Sequence, residues 1–335
     1  MIIEENHSLE NLNTFHLVAK ARWYVEYASE TELENFLKDD RFRNLPVVAL
    51  GCGSNMLFLS DFDGVVVRSA IKGITIVAES DQSLLLRVGA AEIWDDVVAY
   101  AVGKGFGGIE NLSAIPGQTG AAAVQNIGAY GVEIKDVVDS IEAMNRLTCE
   151  KRIFSNAECL FDYRSSIFKD TSPYIVMYVN LRLQKKPDFH LGYGNLKDYF
   201  RSDHSLTLQN IRETIVGIRK NKLPDPNVLG NAGSFFMNPV VTNEKLEQIQ
   251  KKYPSIPFFP AQNGFFKLSA GWMIEQCGLK GKRFGRCGIY EHQALVIVNY
   301  GGATGSEIAQ LASDICQTVY QRFDVELMPE VKYVV

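Results

Sequence analysis

Two stretches of small and polar residues could hold a diphosphate or a flat ring system against the backbone. The first, residues 51–55 (GCGSN), follows a short apolar run, so its amides can turn outward and its glycines allow an anion to approach closely. The second starts at residues 115–120 (IPGQTG) and ends at residues 125–131 (QNIGAYG), with few large side chains. A single glycine turn is more often a tight turn than a binding site. Two such loops, one of them also carrying polar amides, favour a bound ligand.

Three polar residues lie in apolar or aromatic surroundings and could do acid–base or anion-binding chemistry. Arg164 lies between aromatic residues, Ser234 precedes a phenylalanine pair, and Glu330 lies in the last strand-like segment. Each also has an ordinary interpretation, as an exposed arginine, a turn-capping serine and a solvated glutamate, which the usual exposure of polar residues favours. Sequence spacing leaves open whether the three meet in space.

Several familiar catalytic motifs are absent from the sequence. Residues 51–56 and 105–107 have two glycines of a dinucleotide fingerprint but lack the third. The sequence contains no Walker loop, no HExxH zinc motif and no GxSxG nucleophile elbow. An ordinary Rossmann dehydrogenase, a kinase and a serine hydrolase are therefore disfavoured.

Length, composition and charge are those of a soluble, folded protein with two or more domains. The chain has 335 residues, 46% hydrophobic and 22% charged, with a net charge of −5 and no block of like charges. We therefore expect no nucleic-acid partner and no membrane partner. The acidic first residues, and the lack of an apolar stretch of ~18 residues, predict a cytoplasmic location. The six cysteines are scattered and expected to be reduced, and the five histidines do not cluster, so we expect no metal site.

The elements that must position these residues alternate between helix and strand. Periodic apolar residues predict helices over residues 31–37, 93–101 and 244–252, and a long helix from a capping box at Thr304 and Glu307. Strands are predicted over residues 46–50 (a buried strand), 64–68, 84–88, 140–144, 174–183 and 294–299, and an edge strand over 325–335. Residues 223–227 (LPDPN) carry alternate prolines and predict a crossing between domains.

Taken together, these motifs show that the sequence resembles the UDP-N-acetylenolpyruvoylglucosamine reductases, also called UDP-N-acetylmuramate dehydrogenases. The resemblance runs in order over nearly the whole chain and rests on several specific blocks. These blocks are residues 11–15 (NLNTF), 50–58 (LGCGSNMLF), 115–120, 125–131, 163–169 (YRSSIFK), 222–226 (KLPDP), 231–236 (NAGSFF), 270–277 (AGWMIEQC) and 329–331 (PEV).

The resemblance implies an α+β fold with a two-subdomain FAD-binding module of the vanillyl-alcohol-oxidase (PCMH) type and a C-terminal α/β substrate-binding domain. The first FAD-binding subdomain would cover residues 1–69, completed by a C-terminal strand at 324–335. The second would cover residues 70–222, and the UDP-sugar domain residues 223–323. The expected state is a monomer.

The resemblance also implies an activity in peptidoglycan precursor synthesis. Non-covalently bound FAD, reduced by NADPH, would convert UDP-N-acetylglucosamine-enolpyruvate to UDP-N-acetylmuramate. Charge develops as an enolate on the carboxyl-bearing carbon, so a fixed cation or proton-sharing group must meet it. By resemblance, Arg164 holds the carboxylate and Glu330 helps to stabilise the enolate. The hydride goes to the vinyl carbon remote from the carboxylate, and Ser234 delivers the proton to the other, carboxyl-bearing carbon.

Further site residues are carried over from the same motifs. The residues expected at the flavin are Gly51, Cys52, Gly53, Ser54, Asn55, Ile115, Pro116, Gly117, Thr119, Gly120, Gln125, Asn126, Gly128, Tyr130 and Gly131. The residues expected at the UDP-sugar are Tyr163, Tyr193, Lys222, Asn238 and Gln293. Tyr193, in residues 191–195 (LGYGN), matches the tyrosine that covers the diphosphate in the first of two family subtypes.

The sequence departs from the family pattern at a few positions. Cys52 stands where a larger polar residue or glycine is usual, so a thioether to the flavin is conceivable, although a small thiol is usually buried filler. Met237 replaces a common lysine, Met328 an additional glutamate, and residues 290–292 (YEH) a more basic pattern. Two alternatives are a flavin oxidase of the same superfamily, and a non-catalytic protein that binds UDP-sugar or flavin. The set of Arg164, Ser234 and Glu330 disfavours both.

Overall fold

The computed structural model describes residues 1–170, 172–193, 196–200 and 206–335, and it mixes helices with strands. The helices are α1 (Glu30–Lys38), α2 (Trp94–Gly103), α3 (Thr119–Val124), α4 (Leu208–Lys222), α5 (Asn243–Lys252), α6 (Ala270–Gln276) and α7 (Gly305–Phe323). The strands are β1 (Ile2–Ser8), β2 (Lys20–Tyr27), β3 (Val47–Ala49), β4 (Met56–Phe58), β5 (Phe62–Ser69), β6 (Ile74–Glu79), β7 (Ser83–Gly89), β8 (Gly128–Ala129), β9 (Val132–Glu133), β10 (Val138–Asn145), β11 (Lys151–Ser155), β12 (Tyr174–Gln184), β13 (Gly230–Ser234), β14 (Val240–Val241), β15 (Phe258–Pro260), β16 (Phe266–Leu268), β17 (Arg283–Phe284), β18 (Cys287–Ile289), β19 (Val296–Asn299) and β20 (Lys332–Val334).

The chain divides into two compact units, and both are discontinuous in sequence. The first unit consists of Met1–His7, Ala21–Cys52 and Asp63–Arg219. The second unit consists of Ser8–Lys20, Gly53–Phe62 and Lys220–Val335. The predicted three-way division of the chain into subdomains stays a prediction.

The first unit is built on two sheets. One has the strand order β1-β2-β5-β3 and the other the order β11-β10-β12-β7-β6. In the larger sheet, antiparallel pairing places Val179 of β12 opposite both Ile141 and Val88. Helix α2 buries Val97, Val98 and Ala101 of the predicted apolar stripe together with Trp94, whereas Ile93, the first residue of that stripe, is the N-cap. The first residues of this helix bond to the segment that follows residue 110, so the helix start and that segment lie side by side.

The second unit combines small sheets with amphipathic helices. One sheet has the order β13-β19-β18-β17, and α7 packs its face of Ile308, Leu311, Ile315 and Val319 into the same core. The predicted capping box at the start of α7 is confirmed: the Glu307 N–H donates to Thr304 Oγ1 at 3.2 Å, and the Thr304 N–H donates to Glu307 Oε2 at 2.7 Å.

Most predicted elements are present, but residues 46–50, residues 325–335 and α4 differ from the prediction. The strand predicted as buried at residues 46–50 is β3, whose side chains are partly exposed; only Leu50, just beyond it, is buried. Of residues 325–335, only β20 is a strand, and it pairs in parallel with β4. The alternating burial of Val325 and Leu327 is real, but it arises from packing without a continuous strand ladder. The sequence predicts no helix over α4, because its apolar face carries few residues and is interrupted by arginines.

Candidate active site

Residues 109–131 of the first unit form a compact, irregular segment, which we call the 109–131 segment. It contains a 3-10 turn at Glu110–Leu112, then α3, and then the β8–β9 hairpin. Ala114, Asn126 and Tyr130 have φ angles of 58°, 44° and 49°, conformations that residues with a Cβ rarely adopt. Each costs about 1–3 kcal/mol and persists only where its surroundings hold it. The hydrogen bonds that hold this segment are therefore part of the site.

Two of the predicted glycines let backbone segments pack closely. A Cβ placed on Gly51 would lie 3.2 Å from Gln118 Oε1 and 3.4 Å from the Ala121 Cβ. A Cβ on Gly120 would lie 2.8 Å from the Ala90 Cβ. The structure therefore brings Gly51 of the first glycine loop against the second, at the start of α3.

Two polar side chains predicted to meet a cofactor make hydrogen bonds within the protein. The Thr119 hydroxyl donates to the Glu92 carbonyl at 3.0 Å. Asn126 is fully buried; its Nδ2 donates to Glu133 Oε2 at 3.0 Å and to the Asp162 carbonyl at 2.9 Å, and its Oδ1 accepts from the Lys135 N–H at 3.2 Å. These side chains therefore help to shape the loop.

Arg164 lies against the same segment. Its Nη2 donates to the Gly128 carbonyl at 2.9 Å and its Nη1 to the Asn126 carbonyl at 3.4 Å. The guanidinium also lies 5.5 Å from the centre of the Tyr163 ring, within reach of a cation–π interaction. The structure thus brings Arg164 and Tyr163 to the end of the 109–131 segment.

Two tyrosines meet near the hairpin. The rings of Tyr130 and Tyr193 contact edge to face, with centroids 6.4 Å apart, and a Cβ on Gly131 would lie 3.4 Å from the Tyr193 Cβ. Burial raises the pKa of the Tyr130 phenol, and the charge and hydrogen bond of Arg219 offset part of that rise. Gly194 and Asn195, which follow Tyr193 in the predicted loop, lie outside the described residues.

One buried amide in this region has an unused acceptor. The Asn111 Nδ2 donates to the Tyr130 carbonyl at 2.9 Å and to the His190 carbonyl at 2.7 Å. The Asn111 Oδ1 is buried and accepts no hydrogen bond from any residue that the structure describes. A buried acceptor of this kind needs a donor from water or from a ligand.

The remaining predicted residues of this region lie at or near the surface of the segment. Partly buried are Cys52, Ile115, Gly117, Gln125 and Gly128, whereas Pro116 and Gly131 are exposed. Burial raises the pKa of the Cys52 thiol, and the charges of Arg68 and Lys72 offset only part of that effect. A thiol that stays protonated is a poor nucleophile, which argues against a thioether to the flavin.

Ser234, in the second unit, follows a bulge at the end of β13. Asn231 pairs with Val298 of β19, but Ser234 pairs with Val296, so the ladder loses register between them. The Asn231 Oδ1 accepts from the Gly233 N–H at 2.9 Å, and its Nδ2 donates to the Leu229 carbonyl at 2.8 Å. Because a bulge re-aims the following side chain, the Asn231 hydrogen bond to Gly233 supports the backbone that carries Ser234.

Glu330 is brought to the strand that carries Ser234. The Glu330 N–H donates to the Phe235 carbonyl at 2.8 Å, and Phe236 and Pro329 form an antiparallel bridge. The Asn55 Nδ2 donates to the Glu330 carbonyl at 3.0 Å. The structure therefore places Ser234, Glu330 and Asn55 on adjoining segments of the second unit.

Two predicted substrate residues meet at the start of α6. The Asn238 Oδ1 accepts from the Ala270 N–H at 3.0 Å, and a Cβ on Gly271 would lie 3.3 Å from Gln293 Oε1. Lys222, by contrast, is exposed at the last position of α4.

The remaining part of the first glycine loop is fixed by packing. Ser54 is partly buried, and Gly53 is buried with a φ of 64°. A Cβ on Gly53 would lie 2.1 Å from the Leu12 carbonyl oxygen, so no other residue fits there.

Among the residues that the structure describes, no group of three or more His, Cys, Asp or Glu could hold a metal ion.

Comparison with known proteins gives the family. A model of a FAD-binding domain matches residues 21–148, and a model of the C-terminal domain of UDP-N-acetylenolpyruvoylglucosamine reductase matches residues 225–334. A UDP-N-acetylenolpyruvoylglucosamine reductase of Porphyromonas gingivalis is 49% identical over 337 aligned positions that cover 100% of both chains. The chain belongs to the UDP-N-acetylenolpyruvoylglucosamine reductase family.

Solved structures agree with the predicted fold class. The UDP-N-acetylenolpyruvylglucosamine reductase of Thermus caldophilus covers 100% of both chains with a TM-score of 0.71 at 23% identity. The 6-hydroxy-D-nicotine oxidase of Arthrobacter nicotinovorans covers 97% of this chain and 86% of its own, with a TM-score of 0.51 at 10% identity. The predicted FAD-binding module with a C-terminal substrate domain is confirmed.

The first unit fits the FAD that its family uses. The main-chain N–H groups of Gly51 and Cys52 donate to no residue in the described part of the chain, and backbone N–H groups at glycine loops bind diphosphates. A side chain at Gly51 would crowd this place, and the buried Asn111 Oδ1 suits one of the N–H or O–H donors that FAD carries.

Met237 and Met328, where the sequence analysis expects departures from the family pattern, are neighbours in the structure. The Met237 N–H donates to the Met328 carbonyl at 2.9 Å. The two methionines are therefore joined through their main chains.

Four residues that the sequence analysis did not assign to the site hold its loops. Asn231 accepts a hydrogen bond within the bulge before Ser234, Asp95 and Arg219 contact the 109–131 segment, and Arg212 holds Asp95. The sequence feature that could have identified Arg212 and Arg219 is their spacing. They lie seven residues apart on α4, which places both on one helix face beside Ile211 and Ile215.

Proposed function

We propose that this protein reduces the enolpyruvyl ether of UDP-N-acetylglucosamine-enolpyruvate to the lactyl ether of UDP-N-acetylmuramate, in peptidoglycan precursor synthesis. NADPH is the reductant and non-covalently bound FAD the cofactor. The observation that carries this proposal is the full-length similarity to a reductase of this name, together with the FAD-binding domain. Bound FAD supplies hydride transfer from NADPH to the vinyl carbon remote from the carboxylate.

The glycine loops hold the cofactor, and Arg164 holds one end of the substrate, in this proposal. Backbone groups of residues 51–55, 115–120 and 125–131 contact the FAD. Arg164, oriented by the carbonyls of Asn126 and Gly128, binds the substrate carboxylate. A guanidinium has a fixed fork of donors that matches a carboxylate and stays charged at every physiological pH.

Residues of the second unit handle the charge and proton that the reduction requires. Glu330 helps to stabilise the enolate, and Ser234 delivers a proton to the carbon that carries it. A serine hydroxyl is a weak acid, so it can act only toward a strongly basic carbon and in a fixed orientation. The bulge held by Asn231 supports such an orientation.

The finer parts of the proposal concern the sugar nucleotide and the setting. Tyr163, Tyr193, Lys222, Asn238 and Gln293 contact the UDP-sugar. The chain acts as a cytoplasmic monomer without nucleic-acid partners, and its domains are residues 1–69 with 324–335, residues 70–222 and residues 223–323. In the described part of the chain, no helix is both long enough and apolar enough to cross a membrane.

Anaerobic stopped-flow absorbance of the purified, FAD-loaded protein tests the function. NADPH is added first and UDP-N-acetylglucosamine-enolpyruvate second, while the visible flavin band is followed. We expect bleaching by NADPH and recovery that requires the enolpyruvyl substrate. Bleaching that only oxygen reverses would instead indicate an oxidase with another substrate. A colourless protein that cannot be reconstituted with FAD would contradict the proposal altogether.

A further inference from the structure

The start of α2 is bonded to three successive points of the chain just before α3. The Trp94 Nε1–H donates to the Leu112 carbonyl at 2.9 Å, and the Trp94 main-chain N–H donates to the Gly117 carbonyl at 3.0 Å. Between these points, Asp95 Oδ1 accepts from the Ala114 N–H at 2.6 Å. Two consecutive residues of α2 thus determine the path of residues 112–117.

Ala114 is the strained point of this path. Its φ of 58° lies in the left-handed region, which is unfavourable for an alanine because its Cβ comes too close to the backbone. Both of its main-chain polar groups are engaged by side chains, since Asp95 accepts from its N–H and the Arg219 Nε donates to its carbonyl at 3.2 Å. These two contacts oppose the relaxation of Ala114 toward an ordinary backbone conformation.

Asp95 is itself held by a two-point ion pair with α4. The Arg212 Nη1 and Nη2 donate to its two carboxylate oxygens at 2.6 and 2.8 Å, and the Arg212 side chain is only 15% exposed. Burial raises the pKa of Asp95, but the hydrogen bonds of Arg212 and Ala114 and the charges of Arg212 and Arg219 outweigh it and hold this pKa below its ordinary value. Asp95 therefore stays ionised at neutral pH.

We propose that Asp95 and Arg212 are positioning residues for the cofactor. By holding Ala114 in its left-handed conformation, they aim the backbone of residues 115–120 toward the FAD. This inference rests on the proposed function, which places the flavin at that loop. Neither residue needs to touch FAD, because the pair acts through the Ala114 peptide.

The test compares Asp95→Ala, Asp95→Asn and Arg212→Lys by titrating the apoprotein with FAD and following the quenching of flavin fluorescence. If the loop spends only a fraction of its time in the binding-competent path, the apparent Kd rises by the inverse of that fraction. We expect about a tenfold or larger rise for Asp95→Ala and smaller rises for the two conservative variants. At saturating FAD, kcat should stay within about twofold of the wild-type value, because the substrate-contacting groups are unchanged.

Rescue distinguishes positioning from general stability. Glycine adopts positive φ about as readily as negative φ, so Ala114→Gly should restore most of the FAD affinity lost in Asp95→Ala. The matched control is Cys149→Gly, which relieves the same backbone conformation (φ 60°) in the β10–β11 turn and should restore none. A loss of FAD affinity that Ala114→Gly does not rescue, or that Cys149→Gly rescues equally, would overturn the inference.

One further variant separates this inference from the proposed function. Gly117 has a φ of 126°, so Gly117→Ala strains the loop itself and should weaken FAD binding. If Gly117→Ala leaves the Kd for FAD unchanged, the placement of FAD at this loop is wrong. If Gly117→Ala weakens FAD binding but Asp95→Asn and Arg212→Lys do not, only the positioning role fails. The two conservative variants distinguish these cases even if Asp95→Ala does not fold.

Discussion

The 109–131 segment of the first unit and the turn that carries Ser234 in the second unit are both irregular, but they are held differently. The 109–131 segment is held by side chains from distant parts of the sequence, which bond to its peptide groups. The Ser234 turn is held mainly by main-chain pairing, with β19 on one side and residues 328–330 on the other, and by one local asparagine.

This difference determines which side-chain substitutions each region tolerates. A loop held by side chains depends on residues that touch no ligand, and removing one leaves buried peptide groups without partners. A turn held by main-chain pairing tolerates side-chain changes better, because the ladder remains when a side chain is lost. The chemistry proposed for the two regions also differs, since one binds FAD and the other supplies a proton.

The largest expected effect concerns the proton. Ser234→Ala should slow flavin reoxidation by the enolpyruvyl substrate about 10²–10⁴-fold and leave flavin reduction by NADPH nearly unchanged, because the proton is needed only after hydride transfer begins. Single-turnover stopped-flow absorbance measures both half-reactions. The control is Ser255→Ala, at an exposed serine of the same unit. Equal slowing of both half-reactions would contradict the proposal that Ser234 acts only in flavin reoxidation.

A similar split should appear for Glu330→Gln. If Ser234 and Glu330 act as one unit, the double variant is no slower in reoxidation than the slower single variant. Additive losses in the same stopped-flow measurement would show that the two residues act independently.

The next effect tests the side-chain-held region. Asn126→Ala removes a buried side chain that makes three hydrogen bonds, and we expect it to lower the free energy of unfolding by about 3 kcal/mol. FAD affinity should fall as well, because the loop loses its shape. Urea unfolding of the apoprotein measures the first and fluorescence titration the second. The control variant Asn44→Ala, at an exposed position, should change neither the free energy of unfolding nor the FAD affinity. An equal effect of the two variants would contradict the role given to the Asn126 hydrogen bonds.

A smaller effect is expected from the bulge in the main-chain-held region. Asn231→Ala removes the acceptor of the Gly233 N–H, and we expect kcat to fall about tenfold to a hundredfold, because a displacement of ~1 Å at a catalytic group has that cost. FAD affinity should be unchanged. Steady-state kinetics with the FAD titration measure both, and a loss of FAD binding without a loss of kcat would reverse the roles of the two regions.

The smallest effect is a pH dependence that belongs to the side-chain-held region alone. The pKa of Asp95 is lowered from its ordinary value of 3.8, so its contribution to stability is present above that value and is lost as the pH falls through the lowered pKa. Urea unfolding of wild-type protein and Asp95→Asn should therefore differ most near neutral pH and converge below about pH 4. A difference that grows on acidification would contradict the ionised state of Asp95.

Much of the fold could be predicted because its signals are local. The apolar stripe of α2, the capping box of α7 and the glycine-rich composition of the 109–131 segment each lie within one short stretch of sequence. The blocks around Arg164, Ser234 and Glu330 could likewise be located, although their roles stay predictions.

The rest depends on contacts between distant residues. Asp95 and Arg212 are 117 positions apart, and nothing in the local sequence of either indicates the other. The bulge before Ser234 appears only when β13 pairs with β19, since register is a property of two strands. Apolar and polar residues alternate over 325–331, and this pattern predicts a strand. Here the buried and exposed positions alternate without a strand ladder, which the sequence pattern cannot distinguish.

The parallel pairing of β4 with β20 has a consequence for synthesis of the chain. Leu57 and Phe58 are buried in the finished protein, but their partners Tyr333 and Val334 are 276 positions later. At ~5–20 residues per second, a ribosome needs about 15–55 s to make that interval. Until residues 332–334 are made, β4 therefore lacks its partner strand in the nascent chain.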